Sequence, residues 1–198
     1  DRQQEGEGLQ RKESQVVLDV LAAAKEAGTG FESDPQAVEK LVGLLEELEE
    51  CNAIENPARS GNLWGKWRLL FTNSPPMLKN KGVTGLGSLP FVGFEELTQE
   101  FQSDGTAETV EVLKMPPFGT PARSTLRGTV TAVSLEVIEQ TYVDVQLASV
   151  FKSKADSVGS DNYFSKAVLA ITYLSDSLRV CRSPSGAFFL FERVEFSR

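Results

Sequence analysis

Residues 63–72 read LWGKWRLLFT, and this stretch decides the fold. Apolar side chains alternate with Lys66 and Arg68, which is the period-two pattern of a strand with one apolar face. The stretch contains a G-x-W sequence made by Gly65 and Trp67. In a small barrel such a glycine allows close approach of strands, and the tryptophan closes one end with a large apolar ring. We therefore predict the first strand of a closed β-barrel.

The rest of the chain continues the strand-like pattern. Eight or nine short strands follow one another without helices between them, and Asp104-Gly105 between two of them is typical of a hairpin. Because parallel strands need long crossovers, this order predicts an antiparallel meander that removes its edges by closing. A barrel of eight strands holds side chains or one small ligand. The predicted runs are Trp64–Thr72, Leu97–Ser103, Thr106–Met115, Thr125–Val133, Leu135–Glu139, Thr141–Phe151, Val168–Leu174, Leu178–Arg182 and Ala187–Phe196.

Two helices are predicted before the strands. Apolar residues recur at helical spacing over 16–24, and residues 34–48 begin with Asp-Pro, which is typical of a helix start, and continue with an apolar stripe. The polar residues before them contain two glycines and predict a flexible tail. The predicted organisation is a tail over 1–13, a helical segment over 14–50 and a barrel over 51–198.

Composition excludes several classes of function. The 198 residues carry a formal net charge of −8 and no histidine. Without histidine there is no Ser-His-Asp or Cys-His nucleophile and no imidazole zinc site, so no metal is predicted. An acidic surface repels phosphates, which argues against nucleic acid as a partner. No apolar run approaches the roughly 18–20 residues that span a bilayer, so any membrane contact is expected to be peripheral.

No group of side chains converges on a catalytic site, and the chain is predicted not to be an enzyme. Acid–base candidates exist near strands, but their period-two placement mostly predicts outward faces. These candidates are Tyr142, Tyr173, Asp144 and Glu136. Cys51 and Cys181 are interpreted as two buried thiols, with one disulfide as the alternative.

Three stretches carry a family resemblance. Asn56-Pro57 followed by residues 63–72 is similar to an N-P…L-x-G-x-W-x-L-x-[YF]-T opening. Residues 172–180, TYLSDSLRV, resemble a Y-L-[DS]-x-x-[LM]-R-[IV] strand, and SGAFFL at 185–190 stands at the place of G-x-x-F-V-L. These motifs belong to the plastid lipid-associated (fibrillin) family, which the chain resembles over about residues 15–195. Ser175 replaces a frequent Asp, and Arg182-Ser183-Pro184 replaces R-G-[DN], so the subgroup and ligand stay open.

The resemblance implies a mainly β, lipocalin-like antiparallel barrel of eight or nine strands preceded by two N-terminal helices. It implies a chloroplast protein at plastoglobule or thylakoid surfaces whose transit peptide has been removed. The first hypothesis is non-enzymatic binding or carriage of an isoprenoid, carotenoid, prenylquinone or acyl lipid, with no required cofactor. The alternative is a structural coat or assembly subunit with a filled barrel that associates with a thylakoid membrane protein complex.

Three groups of residues are candidates for the site. At the barrel end, Gly65 and Trp67 are expected to meet Arg193, or Arg179 as the alternative, in a cation–π contact of about 0.5–2 kcal/mol. Inward strand positions are expected to line an apolar cavity, although they suit a filled core equally: Leu69, Phe71, Phe101, Val112, Val130, Val145 and Ile171. Apolar loop residues are expected to form a lid or to contact a lipid surface: Met77, Leu78, Leu86, Leu89, Phe91 and Phe118.

Overall fold

The computed structural model describes residues 2–114, 121–147, 151–154 and 166–194. Within them lie the helices α1 (Arg2–Ala27), α2 (Pro35–Glu50) and α3 (Pro75–Asn80), and short 3-10 turns at Pro57–Arg59, Gly61–Leu63 and Leu86–Ser88. The strands are β1 (Gly65–Thr72), β2 (Gly93–Phe101), β3 (Thr106–Lys114), β4 (Ala122–Ala132), β5 (Val137–Leu147), β6 (Phe151–Lys154), β7 (Lys166–Leu174), β8 (Leu178–Arg182) and β9 (Phe188–Arg193).

The strands form a closed antiparallel barrel, as the sequence predicts. Their order is β4-β3-β2-β1-β9-β8-β7-β5-β6, and an additional pairing of β4 with β5 closes the ring. Eight strands make the barrel, while β6 pairs with the second half of β5 as a hairpin. The predicted runs 135–139 and 141–151 are joined in β5, because Gln140 continues the pairing with β4, whereas Phe151 belongs to β6 and 148–150 lie outside the described residues.

The two long helices pack against the outside of the barrel. Their apolar faces share one buried cluster with Phe71 and with outward side chains of β7, β8 and β9. Asp34 caps α2, since its carboxylate accepts the Ala37 N–H at 3.3 Å. On the sheet side, Arg182 makes two hydrogen bonds to Glu49, at 2.8 and 2.6 Å, and so ties α2 to β8.

Helix α1 begins at Arg2 rather than near residue 14. The sequence predicts a flexible tail over residues 1–13, because they are polar and contain Gly6 and Gly8. Gln, Glu, Arg and Lys are nevertheless good helix formers, and each glycine costs only about 1 kcal/mol. Low hydrophobicity was therefore the wrong guide to the start of the helix.

The barrel has two distinct ends. One, which we call the tryptophan end, holds the start of β1, the hairpin loop 102–105 and the turns at Pro57–Arg59 and Gly61–Leu63. The other, which we call the α3 end, holds α3 and the turn Leu86–Ser88 between β1 and β2. The hairpin loop has four residues rather than the two predicted, and Gly105 supplies its positive φ of 86°.

Candidate functional site

The tryptophan end is built around Trp67, which is fully buried. Its indole N–H donates to the Leu63 carbonyl at 2.9 Å. Both predicted arginines lie over its ring, with the guanidinium carbon of Arg193 at 4.2 Å and that of Arg179 at 5.1 Å from the ring centroid. The two differ in bonding, since Arg193 donates to the main-chain carbonyls of three loop residues, which are Asn62, Trp64 and Asp176. Arg193 therefore locks the loops around the indole.

Gly65 makes room for Arg193 rather than for a neighbouring strand. Its φ is +125°, a conformation that favours glycine. A Cβ added there would lie 2.5 Å from Arg193 Nη1. The sequence interpretation, close approach of strands, was thus wrong in its reason, although the residue belongs to this end of the barrel.

A cavity of about 340 Å³ lies inside the barrel on the α3 side. Its wall is mostly apolar, and its floor includes two polar side chains, Gln99 and Tyr142. Lys166 and residues 183–185 lie where the strands end at the α3 end, so the cavity reaches that side of the molecule. The apolar part of the wall includes Leu69, Met77, Leu97, Leu126, Phe189 and Phe191.

The predicted cavity residues fall into three groups. Leu69 lines the cavity. Four others are buried in the interior clusters of the barrel but are not part of the cavity wall: Phe101, Val130, Val145 and Ile171. The remaining two, Phe71 and Val112, do not face the interior.

Phe71 packs against the helices, because a register shift between Leu69 and Phe71 in the pairing with β9 interrupts the alternation. Val112 is partly exposed and lies in an outer depression beside Glu96 and Arg123. Its neighbour Glu111 is fully buried. Thr109 and Glu111 of β3 point inward, so Val112 points outward, and this reversal of the usual pattern makes the prediction for Val112 wrong.

The polar interior is what the sequence analysis missed. Tyr142, predicted to face outward, is only 7% exposed, and its hydroxyl donates to Gln140 Oε1 at 2.8 Å and lies 3.2 Å from Thr109 Oγ1. Tyr173 points outward from the barrel, as predicted, and is buried there under α1, where its hydroxyl donates to Glu13 at 2.6 Å. The other two acid–base candidates, Asp144 and Glu136, are half-buried and exposed respectively.

A hydrogen-bond chain connects the cavity floor to Arg179. Arg179 Nη2 donates to Gln99 Oε1 at 2.5 Å, and Gln99 Nε2 donates to Gln140 Oε1 at 3.2 Å. Burial lowers the pKa of Arg179 to about 10, so its guanidinium stays charged at neutral pH. Burial raises the pKa of Tyr142, which keeps its hydroxyl neutral. We call these four residues with Thr109 the polar row. The sequence contains one indication of the polar row, because Gln99 lies two residues after the apolar Leu97 and therefore on the same face of the strand.

Glu111, on β3, binds the segment 82–84, which follows α3. Its carboxylate accepts the Val83 N–H at 2.6 Å, the Thr84 N–H at 3.4 Å and the Thr84 hydroxyl. Gly82 has a φ of +133°, and a Cβ there would lie 2.0 Å from Glu111 Oε1. Burial raises the pKa of Glu111 against the lowering effect of these hydrogen bonds. The carboxyl group thus holds a segment that carries one cavity-lining residue, Val83.

The predicted loop residues divide by exposure. Met77 is buried and lines the cavity, so it is lid rather than lipid-facing surface. Leu78 and Leu86 are half-buried. Leu89 is 51% and Phe91 87% exposed, and Phe91 has a φ of +65°. The last candidate, Phe118, lies outside the described residues.

Both cysteines are free thiols, as the sequence interpretation favoured, but only Cys181 is buried, and Cys51 is half-buried. Burial raises the pKa of Cys181 to about 11, so this thiol is not ionised at neutral pH. In the described ranges there is no group of three or more acidic or thiol side chains placed to hold a metal ion. The same part of the chain has no helix long and apolar enough to cross a membrane.

Comparison with known proteins gives one family match. The PAP_fibrillin family model matches residues 14–146. A search of curated proteins finds no match. Among solved structures, the chain is similar to a lipocalin-like protein from Bacteroides uniformis, at 17% identity over 68% of this chain and 100% of that one, with a TM-score of 0.39. An uncharacterized protein from Bacteroides eggerthii matches at 13% identity over 66% and 98%, with a TM-score of 0.38.

Proposed function

The chain belongs to the PAP/fibrillin family of plastid lipid-associated proteins, and from this we propose that its barrel binds one small hydrophobic molecule. The observation that supports the proposal is the apolar cavity inside the barrel. The PAP/fibrillin family is generally non-enzymatic. We propose the same for this chain, with no required cofactor, and we propose that it acts in the chloroplast after removal of a transit peptide.

The size of the cavity limits the ligand. Its volume of about 340 Å³ is near the lower end of the roughly 300–1,000 Å³ of small-molecule sites. Each buried methylene contributes about 0.8 kcal/mol, so an apolar tail gives affinity without any charged contact. Such a cavity takes a short chain, a single ring or one end of a longer isoprenoid, carotenoid or acyl lipid. We propose that the rest of a long ligand leaves at the α3 end.

A cavity-filling substitution tests this proposal. Leu126 is 1% exposed and lines the cavity, so Leu126→Trp is expected to lower ligand binding at least about tenfold while costing about 1–3 kcal/mol in stability. The measurement is native mass spectrometry after incubation with a chloroplast lipid extract. Leu135→Trp, at a site 56% exposed, is the matched control.

A stoichiometric lipid on the wild type and the control, but not on Leu126→Trp, supports carriage. A barrel that stays empty in all three proteins would contradict it. Copurification of that empty barrel with a thylakoid protein complex would favour the coat or assembly role instead.

We further propose that the exposed segment Leu89–Phe91 touches a plastoglobule or thylakoid surface. It lies at the α3 end of the barrel, where the cavity reaches the surface of the molecule. A fully buried Leu or Phe side chain gains about 1.5–3 kcal/mol, so two of them suit reversible peripheral contact. A ligand could then pass between the lipid phase and the cavity.

Flotation measures that contact directly. The double variant Leu89→Ser and Phe91→Ser is expected to reduce the fraction floating with phosphatidylcholine-coated triolein droplets at least about fivefold, because it removes about 3–6 kcal/mol of possible burial. The matched control is Val133→Ser with Leu135→Ser, since these residues are similarly exposed in a loop at the tryptophan end. Equal flotation of both double variants and the wild type would rule out this contact surface.

A further inference from the structure

The barrel interior holds hydrogen-bond donors that lack acceptors. Arg179 is fully buried, and although its Nη2 donates to Gln99, its Nε and Nη1 have no partner in the described part of the chain. Gln140 Nε2 is also without a partner there. Of the four such buried side-chain atoms among the described residues, three belong to this cluster. The shortage of hydrogen-bond acceptors is therefore confined to the polar row.

The missing partner has a defined chemistry. Every unpartnered atom in the cluster is a nitrogen donor, and one of the two side chains carries a positive charge. The rings of Trp67, Phe101 and Phe191 lie 4.2–5.1 Å from the Arg179 guanidinium carbon and stabilise the charge through their faces. A ring face is at most a weak acceptor of N–H groups, whereas a carboxylate accepts two of them at once. No carboxylate makes an ion pair with Arg179 among the described residues.

The cluster is adjacent to the cavity. Gln99 and Tyr142 line the cavity floor, and Gln99 is the residue that contacts Arg179. Gln99 and Tyr142 both donate to Gln140 Oε1, so the unpartnered Gln140 Nε2 lies beside the same floor. Neither Gln140 nor Arg179 lines the cavity, but each is hydrogen-bonded to Gln99, which does, so an acceptor that displaced the Gln99 amide would reach both.

The cation at the other end of the cavity is already paired. Lys166 lines the cavity at the α3 end, and its ammonium lies 2.5 Å from a carboxylate oxygen of Glu139. The hydroxyls of Ser183 and Ser185 lie 2.8 Å apart and bond to each other. The unsatisfied positive charge is thus at the inner end of the cavity, whereas its outer end is neutralised.

We propose that the cavity binds a single-chain carboxylate head first, with its oxygens at Gln99, Gln140 and Arg179 and its chain directed toward the α3 end. A fatty acid and an oxidised isoprenoid acid share this chemistry. The inference rests on the proposed hydrophobic cavity and adds the head group that the cavity selects. Arg179 then has two functions, since it packs on Trp67 and binds the ligand.

Three probes with the same chain test the head group on the wild-type protein. Dodecanoate, methyl dodecanoate and dodecanol are titrated at pH 7.5 by isothermal calorimetry. Dodecanoate is expected to bind at least about tenfold tighter than the other two, which corresponds to about 1.4 kcal/mol. Equal binding of all three would overturn the proposed head-group site but would still support a hydrophobic binding cavity. Binding of none would overturn both.

Variants locate the head group. Arg179→Met keeps an unbranched side chain on the rings but removes charge and donors, and it is expected to abolish the preference for dodecanoate while dodecanol still binds. Lys166→Met is the control for a head group at the outer end and is expected to keep the preference. Loss of the preference in Lys166→Met alone would overturn the proposal. Retained dodecanol binding shows that Arg179→Met is folded. If that variant does not fold, the comparison of the three probes on the wild-type protein decides whether the cavity selects a carboxylate.

A second readout distinguishes the sources of the carboxylate. The chain has two tryptophans, so Trp64→Phe leaves Trp67, which lies beside Arg179, as the single indole reporter. Retinoate, a conjugated isoprenoid acid, and dodecanoate are each added to this variant. A change in Trp67 emission with both acids supports a site for carboxylates in general, and a change with one alone identifies the chain it accepts. No change with either would overturn head-first binding.

Discussion

Replacing Trp67 with alanine is expected to lower the free energy of unfolding by about 3–5 kcal/mol, the range for truncating a large buried aromatic side chain. The loss has two physical parts. A cavity opens at the tryptophan end, where Leu63 and Phe101 pack in the same cluster, and the ring that faces Arg179 and Arg193 disappears. The half-buried Arg193 then loses its cation–π partner, and the buried Arg179 keeps only Phe101 and Phe191.

Trp64→Ala supplies the matched comparison, because Trp64 is the other tryptophan and is only half-buried. Its expected cost is about 1 kcal/mol, typical of a partly exposed site. Urea unfolding followed by circular dichroism gives both values. Costs that are equal in the two variants would show that Trp67 does not organise the end of the barrel.

Local sequence patterns predicted the framework well. The alternation in residues 63–72 identified β1, and the Asp34 cap identified the start of α2, because both signals depend on neighbours in sequence. The placement of Arg193 over Trp67 was also predictable, since it follows from the first and last strands lying side by side. Such features need only the period of the strand and the order of the strands.

The register of β1 against β9 could not be predicted from the sequence. Leu69 pairs with Phe191, but Phe71 pairs with Leu190, so β1 carries an irregularity that turns Phe71 toward the helices. Its cause lies in the fit between two strands more than a hundred residues apart in the chain. No pattern within β1 reveals it, and a strict alternation therefore placed Phe71 in the cavity.

The polar interior was missed for a different reason. The rule that apolar residues face inward assigned Val112 to the cavity, yet its neighbour Glu111 is the buried residue. Thr109 and Gln99 are likewise buried in the barrel. Departures from consistent patterning are expected at functional sites, and here they coincide with the floor of the cavity and the anchor of its lid.

Substitution of Glu111 is expected to change the free energy of unfolding by the second-largest amount. The contribution of its carboxyl group to that free energy depends on pH. Burial raises the pKa of its carboxyl group above the ordinary value of about 4.3 in the unfolded chain. The folded protein therefore binds this proton more tightly than the unfolded protein does. The resulting stabilisation is complete below the unfolded pKa and is lost as pH rises through the higher folded pKa.

The variant Glu111→Gln isolates that effect, because glutamine keeps an acceptor for the Val83 N–H and does not ionise. The free energy of unfolding of the wild type minus that of Glu111→Gln is expected to fall as pH rises from 4 to 7.5 in urea titrations. A difference that grows with pH would show that the hydrogen bonds from Val83 and Thr84 outweigh burial and lower the pKa instead.

The variant Glu111→Ala removes the acceptor altogether. The main-chain N–H groups of Val83 and Thr84 then lose their partner, at an expected cost of about 2–3 kcal/mol. Because Val83 also lines the cavity, amide hydrogen exchange at residues 82–84 should accelerate in Glu111→Ala and stay slow in Glu111→Gln. Slow exchange in both variants would mean that Met77 and its neighbours hold the segment over the barrel without the carboxyl group.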